Sequence, residues 1–442
     1  MTASAPARAE LPAGPELSPL RQASRWIADP IGFMRSQQRR FGDVFTMRLP
    51  QEEPWVIVGD PELVKQVFTA PDDALYAGGQ KRVLRPIMGA SSVLLTDGTR
   101  HMRTRRLLLP PFHRARIGRY EETMRAVVEE ELERWPTGTP APAGPRMSAI
   151  AMEVILRTVF GLGDDQQRGP LREALARLMS YATGSRSALV AFADSARLRE
   201  DRFSEFRRLL GRAEELLLGE VDERRRVASL EERDDMLSLL LRARFEDGSP
   251  LSDTELRDQL MTLLVAGHET VAASLAWGVE RLARHPEALS RASAEAVRGG
   301  DSHPYMDAVV RETLRVRPVL MVVPRLVRKP FQLGDRVIPE GAAVTPSIPL
   351  VHLNPDVYPE PDAFRPERFL DRQPGTYAWI PFGGGIRRCI GAGFSLLEMR
   401  VVLSTLLARF SLQATDDGPE PAKRRLLVVT PAAGANVVLE PR

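Results

Sequence analysis

Ser252, with Glu255 three residues later, carries a capping-box signature, and the helical pattern it opens runs for roughly nine turns, to near Arg284. A fold for this chain has to be built around that central helix. Its most apolar stretch, Leu260 to Trp277, is interrupted by His268 and Glu269. The interruption predicts a helix buried in protein rather than one crossing a bilayer.

The chain has 442 residues, about three times a ~150-residue domain, which leaves either several modules or one large fold. Hydrophobic residues make up 43% and charged residues 27%, with 32 Gly and 36 Pro, as in ordinary globular proteins. The one cysteine, Cys389, excludes an intrachain disulfide and a tetrathiolate zinc site. Four of the 61 basic residues are lysine and the rest arginine, yet the net charge is only +3, too small over this length to argue for nucleic-acid binding. Met1 to Pro50 lacks the apolar core of a signal peptide and the ~20 apolar residues of a span, so the expectation is a soluble protein without a membrane anchor. A reducing cytoplasm suits the cysteine count.

Two β-rich runs, Val44 to Leu49 and Trp55 to Val58, flank a polar turn and predict a hairpin. Helical patterns follow at Ile117 to Trp135, Ser148 to Phe160, Leu171 to Tyr181, Ala196 to Arg226 and Asp235 to Ala243. After the central helix come a helix over Met306 to Val316, a strand-like region from Val322 to Val351, and a Pro-rich meander from Asn354 to Arg372. A last strong helix is expected from near Cys389 to Phe410. No segment is a linker long enough to separate domains.

The run Phe382-Gly383-Gly384-Gly385-Ile386-Arg387-Arg388-Cys389-Ile390-Gly391 delivers the cysteine from a glycine-rich hairpin to the start of a helix. Helix N–H groups and adjacent arginines favour thiolate there, and glycines let a flat macrocycle approach the backbone. A lone cysteine without such a loop is commonly inert and buried. The spacing fails as a phosphate cradle, because G-x-G-x-x-G from Gly383 needs glycine where Arg388 stands.

In the central helix, Ala266-Gly267-His268-Glu269-Thr270 sets two small residues beside an acid and a hydroxyl. Glu269 and Thr270 can supply protons; alternatively, a mid-helix threonine simply bonds the carbonyl four residues back. The second histidine of a zinc-binding H-E-x-x-H is missing, since position 272 is alanine. Glu312 and Arg315 stand one turn apart, in isolation a solvated pair worth only about a few tenths of a kcal/mol. His101 and Arg105 share one helical face and Arg103 and Arg106 the opposite one, which suits either a buried anion on the first face or merely a basic surface helix.

Taken in order, these motifs resemble the cytochrome P-450 family of haem-thiolate monooxygenases over nearly the whole chain. The pattern F-x-x-G-x-R-x-C-x-G matches at Phe382, Gly385, Arg387, Cys389 and Gly391; A/G-G-x-D/E-T matches Ala266 to Thr270; E-x-x-R and P-E-R-F match at Glu312, Arg315 and Arg368. The resemblance implies a mainly α fold with small β-sheets, a single domain over 1–442 whose β-containing part covers about 40–60 and 322–351, and haem between the long central helix and the cysteine-loop helix. It makes Cys389 the axial ligand of haem b (iron protoporphyrin IX), and His101, Arg105, Arg325 and Arg387 partners of the propionates. Glu269 and Thr270 become the proton-delivery pair, with a local opening of the helix beside them, and Glu312, Arg315 and Arg368 a structural triad.

The implied activity is insertion of one oxygen atom from O2 into a small hydrophobic substrate such as a terpenoid, steroid or fatty acid. The distal wall falls on Thr262, Val265, Ala266 and Thr270, at i, i+3, i+4 and i+8 of the central helix, and by family placement on Val93, Leu94, Met321 and Val323. Electrons are expected from a ferredoxin or flavodoxin docking on an exposed Arg103/Arg106 patch. A haem-thiolate peroxygenase or isomerase, and a non-catalytic haem or ligand-binding sensor, stand as alternatives.

Overall fold

The structure is a computed structural model that describes residues 9–71, 73–79, 84–162, 169–183, 204–371, 374–416, 418–425 and 427–442. The first residues of the helical pattern predicted from Ala196, and Arg372 at the end of the predicted meander, lie outside the described residues. The chain divides into two compact units, one of Met1–Lys81 with Arg311–Cys389, the other of Arg82–Val310 with Ile390–Arg442.

The first unit is organised by a five-stranded sheet. The predicted hairpin forms it at one edge: β1 (Val44–Met47) pairs antiparallel with β2 (Trp55–Val58), Val44 opposite Val58 and Met47 opposite Trp55. With β3 (Leu75–Tyr76), β4 (Arg325–Val327) and β5 (Ala343–Pro346) the order is β1-β2-β5-β4-β3, and β2 runs parallel to β5. Every residue of β1, β2 and β5 is buried, which explains why these strands are mostly apolar rather than alternating, with Thr46 and Thr345 the polar residues among them. Asp60 caps the helix Pro61–Phe68 by accepting the Leu63 N–H at 2.8 Å, and Pro61 at the first position needs no donor. Val64, Val67 and Phe68 of this helix join Val56, Val58 and Val344 in one apolar core. The region read as strand-like from 322 to 351 ends differently, because Ile348–His352 is a short helix.

The second unit is helical. Its principal elements are α1 (Gly98–Leu108), α2 (Glu121–Leu132), α3 (Ala143–Thr158), α4 (Asp253–Ala283) and α5 (Ala392–Arg409). The capping box of α4 is closed as predicted: Ser252 Oγ accepts the Glu255 N–H at 3.3 Å, and the Glu255 carboxylate accepts the Ser252 N–H at 3.0 Å. Buried residues lie all around α4, which packs against α3, α5 and the strand Val428–Pro431. A Cβ on Gly278 would stand 3.1 Å from Leu403 Cδ1, so glycine permits the close approach of α4 and α5. Trp277 Nε1–H, buried, donates to Val429 O at 3.0 Å. Among the described residues α4 is the one helix long and apolar enough to cross a membrane, and 67% of its most apolar window is buried inside the protein.

Strands the sequence reading does not contain follow α5. Phe410–Ala414 and Asn436–Pro441 pair antiparallel, joined by Ala141–Pro142, and Ala422–Arg425 pairs with Val428–Pro431.

Candidate active site

The cysteine loop is shaped by left-handed glycines and by Phe68. Gly383 and Gly385 have φ of +64° and +63°, a region that side chains disfavour. The Gly383 N–H donates to Ile380 O at 3.0 Å and the Cys389 N–H to Phe382 O at 2.9 Å, closing the loop around a 3₁₀ turn at Gly385–Arg387. A Cβ on Gly384 would stand 2.3 Å from Phe68 Cδ2, and one on Gly385 1.9 Å from Phe68 O. The loop is thus pressed onto the end of the Pro61–Phe68 helix. Cys389 emerges from it as an exposed cysteine outside any disulfide. The following helix starts later than its predicted origin, at Ala392, because Gly391 takes the N-cap position.

Glu312 and Arg315, which in isolation read as a solvated pair, are both fully buried. Arg315 Nε and Nη2 donate to the two Glu312 carboxylate oxygens at 2.7 and 2.8 Å. Nη1 donates to His352 O and Pro361 O, and Nη2 also to Ala363 O, so both terminal nitrogens of the guanidinium tie down the meander. The Arg365 N–H donates to Glu312 Oε1 at 2.8 Å, and Arg368 Nε lies 3.3 Å from the same oxygen. His352, absent from the sequence reading, completes the bracket. Its Nε2 accepts the Ile380 N–H at 2.8 Å, so the proton sits on Nδ1, facing Arg315 O at 3.3 Å. Burial, and then the Arg315 guanidinium beside it, push the His352 imidazole down to about 3. A neutral histidine therefore links the Glu312–Arg315 helix to Ile380, two residues before the cysteine loop. Arg325, on β4, is buried against Phe68, its guanidinium carbon 5.8 Å from the ring centre; Met321 is buried, and Arg387 and Val323 half-buried.

In the second unit, the two faces of α1 separate as predicted. His101 is buried and Arg105 half-buried, while Arg103 and Arg106 are exposed. These last two do not form an open patch. Arg103 donates to Asp247 at 2.8 Å and to Ser249 Oγ at 3.0 Å and lies 3.8 Å over the Phe245 ring, and Arg106 pairs with Glu246. Their chain's own acidic turn already answers the charge.

The helix α4 runs from Asp253 to Ala283 without a break, so the expected local opening beside Glu269 and Thr270 is not present. Two local features accompany the unbroken helix. Thr270 Oγ1 donates to Ala266 O at 2.6 Å, and Gly267 faces α3, where a Cβ would stand 3.0 Å from Ile155 Cδ1. His268 is buried with Nε2 2.9 Å from Ser148 Oγ and 3.1 Å from Ser148 O; burial lowers its basicity against the opposing effect of Glu269. It is a bridge between α3 and α4. Ala266 is exposed and Val265, Glu269 and Thr270 half-buried, so a small-residue face of an otherwise buried helix looks onto open space. Thr262 and Val93 are buried and Leu94 is half-buried.

An exposed soft ligand on a glycine-rich loop, with the basic groups of Arg325 on β4 and Arg387 on the loop in the same unit, suits a flat, anionic metallomacrocycle. The residues present fit an iron porphyrin. The family model for cytochrome P450 matches residues 12–439. "Putative cytochrome P450 135B1" of Mycobacterium tuberculosis is 38% identical over 431 residues, 97% of this chain and 91% of that one.

This chain belongs to the cytochrome P450 family.

A second relative, "Putative cytochrome P450 137" of the same species, is 37% identical over 413 residues, 91% of this P450 and 84% of that chain. Among solved structures, retinoic acid-bound cyanobacterial CYP120A1 has a TM-score of 0.84 at 24% identity, covering 98% of this chain and all of its own. The haem domain of cytochrome P450DA gives 0.85 at 23% identity, covering 98% and 97%. These likenesses fix the P450 fold, mainly helical with small sheets. As a P450 the protein is an oxygen-activating monooxygenase with haem as its cofactor.

Proposed function

We propose that this P450 inserts one oxygen atom from O2 into a small hydrophobic substrate of terpenoid, steroid or fatty-acid type, in the cytoplasm, with electrons from a ferredoxin or flavodoxin. The observation that carries the reading is the exposed lone thiol of Cys389 on a loop whose glycines exclude side chains. Cys389 is the axial ligand in this reading; Phe382, Gly385 and Gly391 shape the surface beside it, and His101, Arg105, Arg325 and Arg387 hold the propionates. Residues 1–442 act as one catalytic domain.

Bound haem with a thiolate ligand supplies O–O bond cleavage and oxygen insertion into unactivated C–H bonds. The chain's own residues manage substrate, water and protons. Val93, Leu94, Thr262, Val265, Ala266, Met321 and Val323 orient an apolar molecule and exclude water by their size and lack of charge. Glu269 is the carboxyl through which a proton is passed. Because the Thr270 hydroxyl hydrogen is committed to Ala266 O, its oxygen is left to accept from a water that relays that proton. Glu312, Arg315 and Arg368 keep the scaffold in place.

The direct test is the absorbance of dithionite-reduced protein under carbon monoxide. A red-shifted Soret band is expected, lost in Cys389→Ser; a wild-type spectrum without it overturns the thiolate assignment. A binding screen read on the haem spectrum then addresses substrate class, and hits confined to highly polar molecules overturn the apolar pocket. Turnover with peroxide alone that equals turnover with a reductase overturns the need for an electron partner.

A further inference from the structure

Asp258 and Gln259 stand on α4 a turn before Thr262, at 2% and 0% exposure. Polar side chains this deep require partners, and theirs are the backbone groups of residues 91–93. The Ser91 N–H donates to Asp258 Oδ2 at 2.8 Å. Gln259 Nε2 donates to Ser91 O at 2.8 Å while its Oε1 accepts the Val93 N–H at 3.0 Å. One side-chain amide thus makes the pair of bonds that a neighbouring strand would make. Thr262 Oγ1 donates to Asp258 O at 2.6 Å and lies 2.7 Å from Ser92 Oγ. Gly89, with φ of +76°, leaves no room for slack, since a Cβ there would stand 1.9 Å from Asp258 Oδ1.

The same Val93 that Gln259 holds by its N–H uses its carbonyl to accept from His101 Nδ1 at 2.9 Å. A carbonyl only accepts, so the contact fixes both the ring's orientation and a proton on Nδ1. We infer that Gln259 is a positioning residue: by holding Val93 it sets the ring of His101, and with it the grip of His101 on an anionic haem substituent, and joins that grip to the Val93–Leu94 wall. The inference rests on the reading of His101 as a propionate partner. Gln259 is singled out because both its bonds act on the Ser91–Val93 backbone, whereas Asp258 also takes the Arg257 guanidinium at 2.9 Å.

The test is a double-mutant cycle on the holoenzyme, read as the rate at which haem passes to excess apomyoglobin. Wild type, Gln259→Leu, His101→Phe and the double variant are compared. Each single change is expected to speed release by roughly tenfold, the scale of one buried hydrogen bond, and the double variant is expected to match His101→Phe. Gln259→Glu, which retains an oxygen for the Val93 N–H, is expected to release haem more slowly than Gln259→Leu. Should Gln259→Leu fail to fold, the unbranched Gln259→Met takes its place in the cycle. Release rates that multiply in the double variant, or a Gln259→Leu protein that keeps haem as wild type does, overturn the inference alone. A His101→Phe protein with wild-type release overturns the propionate reading as well, and an unchanged carbon monoxide spectrum in that protein separates this failure from any fault in iron ligation.

Discussion

Two glutamates, one in each compact unit, are equally hidden from water and opposite in every other respect. Glu312 is 0% exposed and Glu398, on α5, 1% exposed. Glu312 meets Arg315 twice, the Arg365 N–H and Arg368, so its charge enters the interior already compensated. Neither oxygen of Glu398 meets a hydrogen-bond donor among the described residues, and burial raises its carboxyl well above the usual range. Burial alone therefore tells little about charge; the donors decide. The first carboxylate ties Arg315, Arg365 and Arg368 together, and the second is buried without donors, which favours its neutral form at a loss of stability.

The comparison breaks most readily at Arg315. Arg315→Met leaves the Glu312 charge buried with most of its compensation gone, and about 3–5 kcal/mol of stability is expected to disappear, read from chemical denaturation of the holoenzyme. A change under about 1 kcal/mol refutes the idea that the bracket holds the meander.

Next in size is the acid limb governed by His352. Its folded value, about 3, lies below the unfolded 6.5, so the unfolded state binds the extra proton between them. Its share of stability is complete above pH 6.5 and drains as pH falls toward 3, by about 1.4 kcal/mol per pH unit. His352→Gln, which still donates and accepts, is expected to flatten that limb in pH-dependent unfolding curves. An unaltered slope assigns the acid sensitivity elsewhere.

Glu398 should show the reverse sign. Its folded value lies above the unfolded 4.5, the folded state holds the extra proton, and stability declines as pH rises from about 4.5 until the folded value is passed. Glu398→Met is expected to raise stability at neutral pH by about 1–2 kcal/mol and to remove the decline. A destabilised variant reveals a donor that the comparison lacks.

The smallest effect belongs to exposed charges on the surface. Glu246→Gln with Asp247→Asn frees Arg103 and Arg106, and the unfolding midpoint is expected to stay where it is. Reduction by an acidic ferredoxin should quicken, more at low salt than at high. Identical, salt-independent rates place the electron partner on another surface.

Much of this arrangement is legible in the amino-acid order. Ser252 and Glu255 announce the start of α4, Trp55 to Val58 pairs as the hairpin requires, and the cysteine loop is spelled out residue by residue. Other parts are not local properties. An i,i+3 Glu–Arg pair looks the same whether it faces solvent or the four carbonyl and amide groups of His352, Pro361, Ala363 and Arg365. The strands from Phe410 to Pro441 are short, and their pairing depends on partners such as Ala141–Pro142, far off in sequence. Pro349 and the β-branched residues around it read as strand, yet Ile348–His352 turns into a helix that delivers His352. Asp258 and Gln259 did leave a trace, two polar residues on the approach to the apolar core of α4, at the turn before Thr262.

Phe68 obstructs the cysteine loop in two unlike ways, and a library built there should expect two unlike outcomes. Position 384 is closed by an aromatic ring, which a smaller residue at 68 removes, so alanine at 384 can be recovered by a compensating substitution. Position 385 is closed by the main-chain oxygen of residue 68, which no side-chain exchange displaces. One neighbouring glycine is negotiable by coevolution and the other is not.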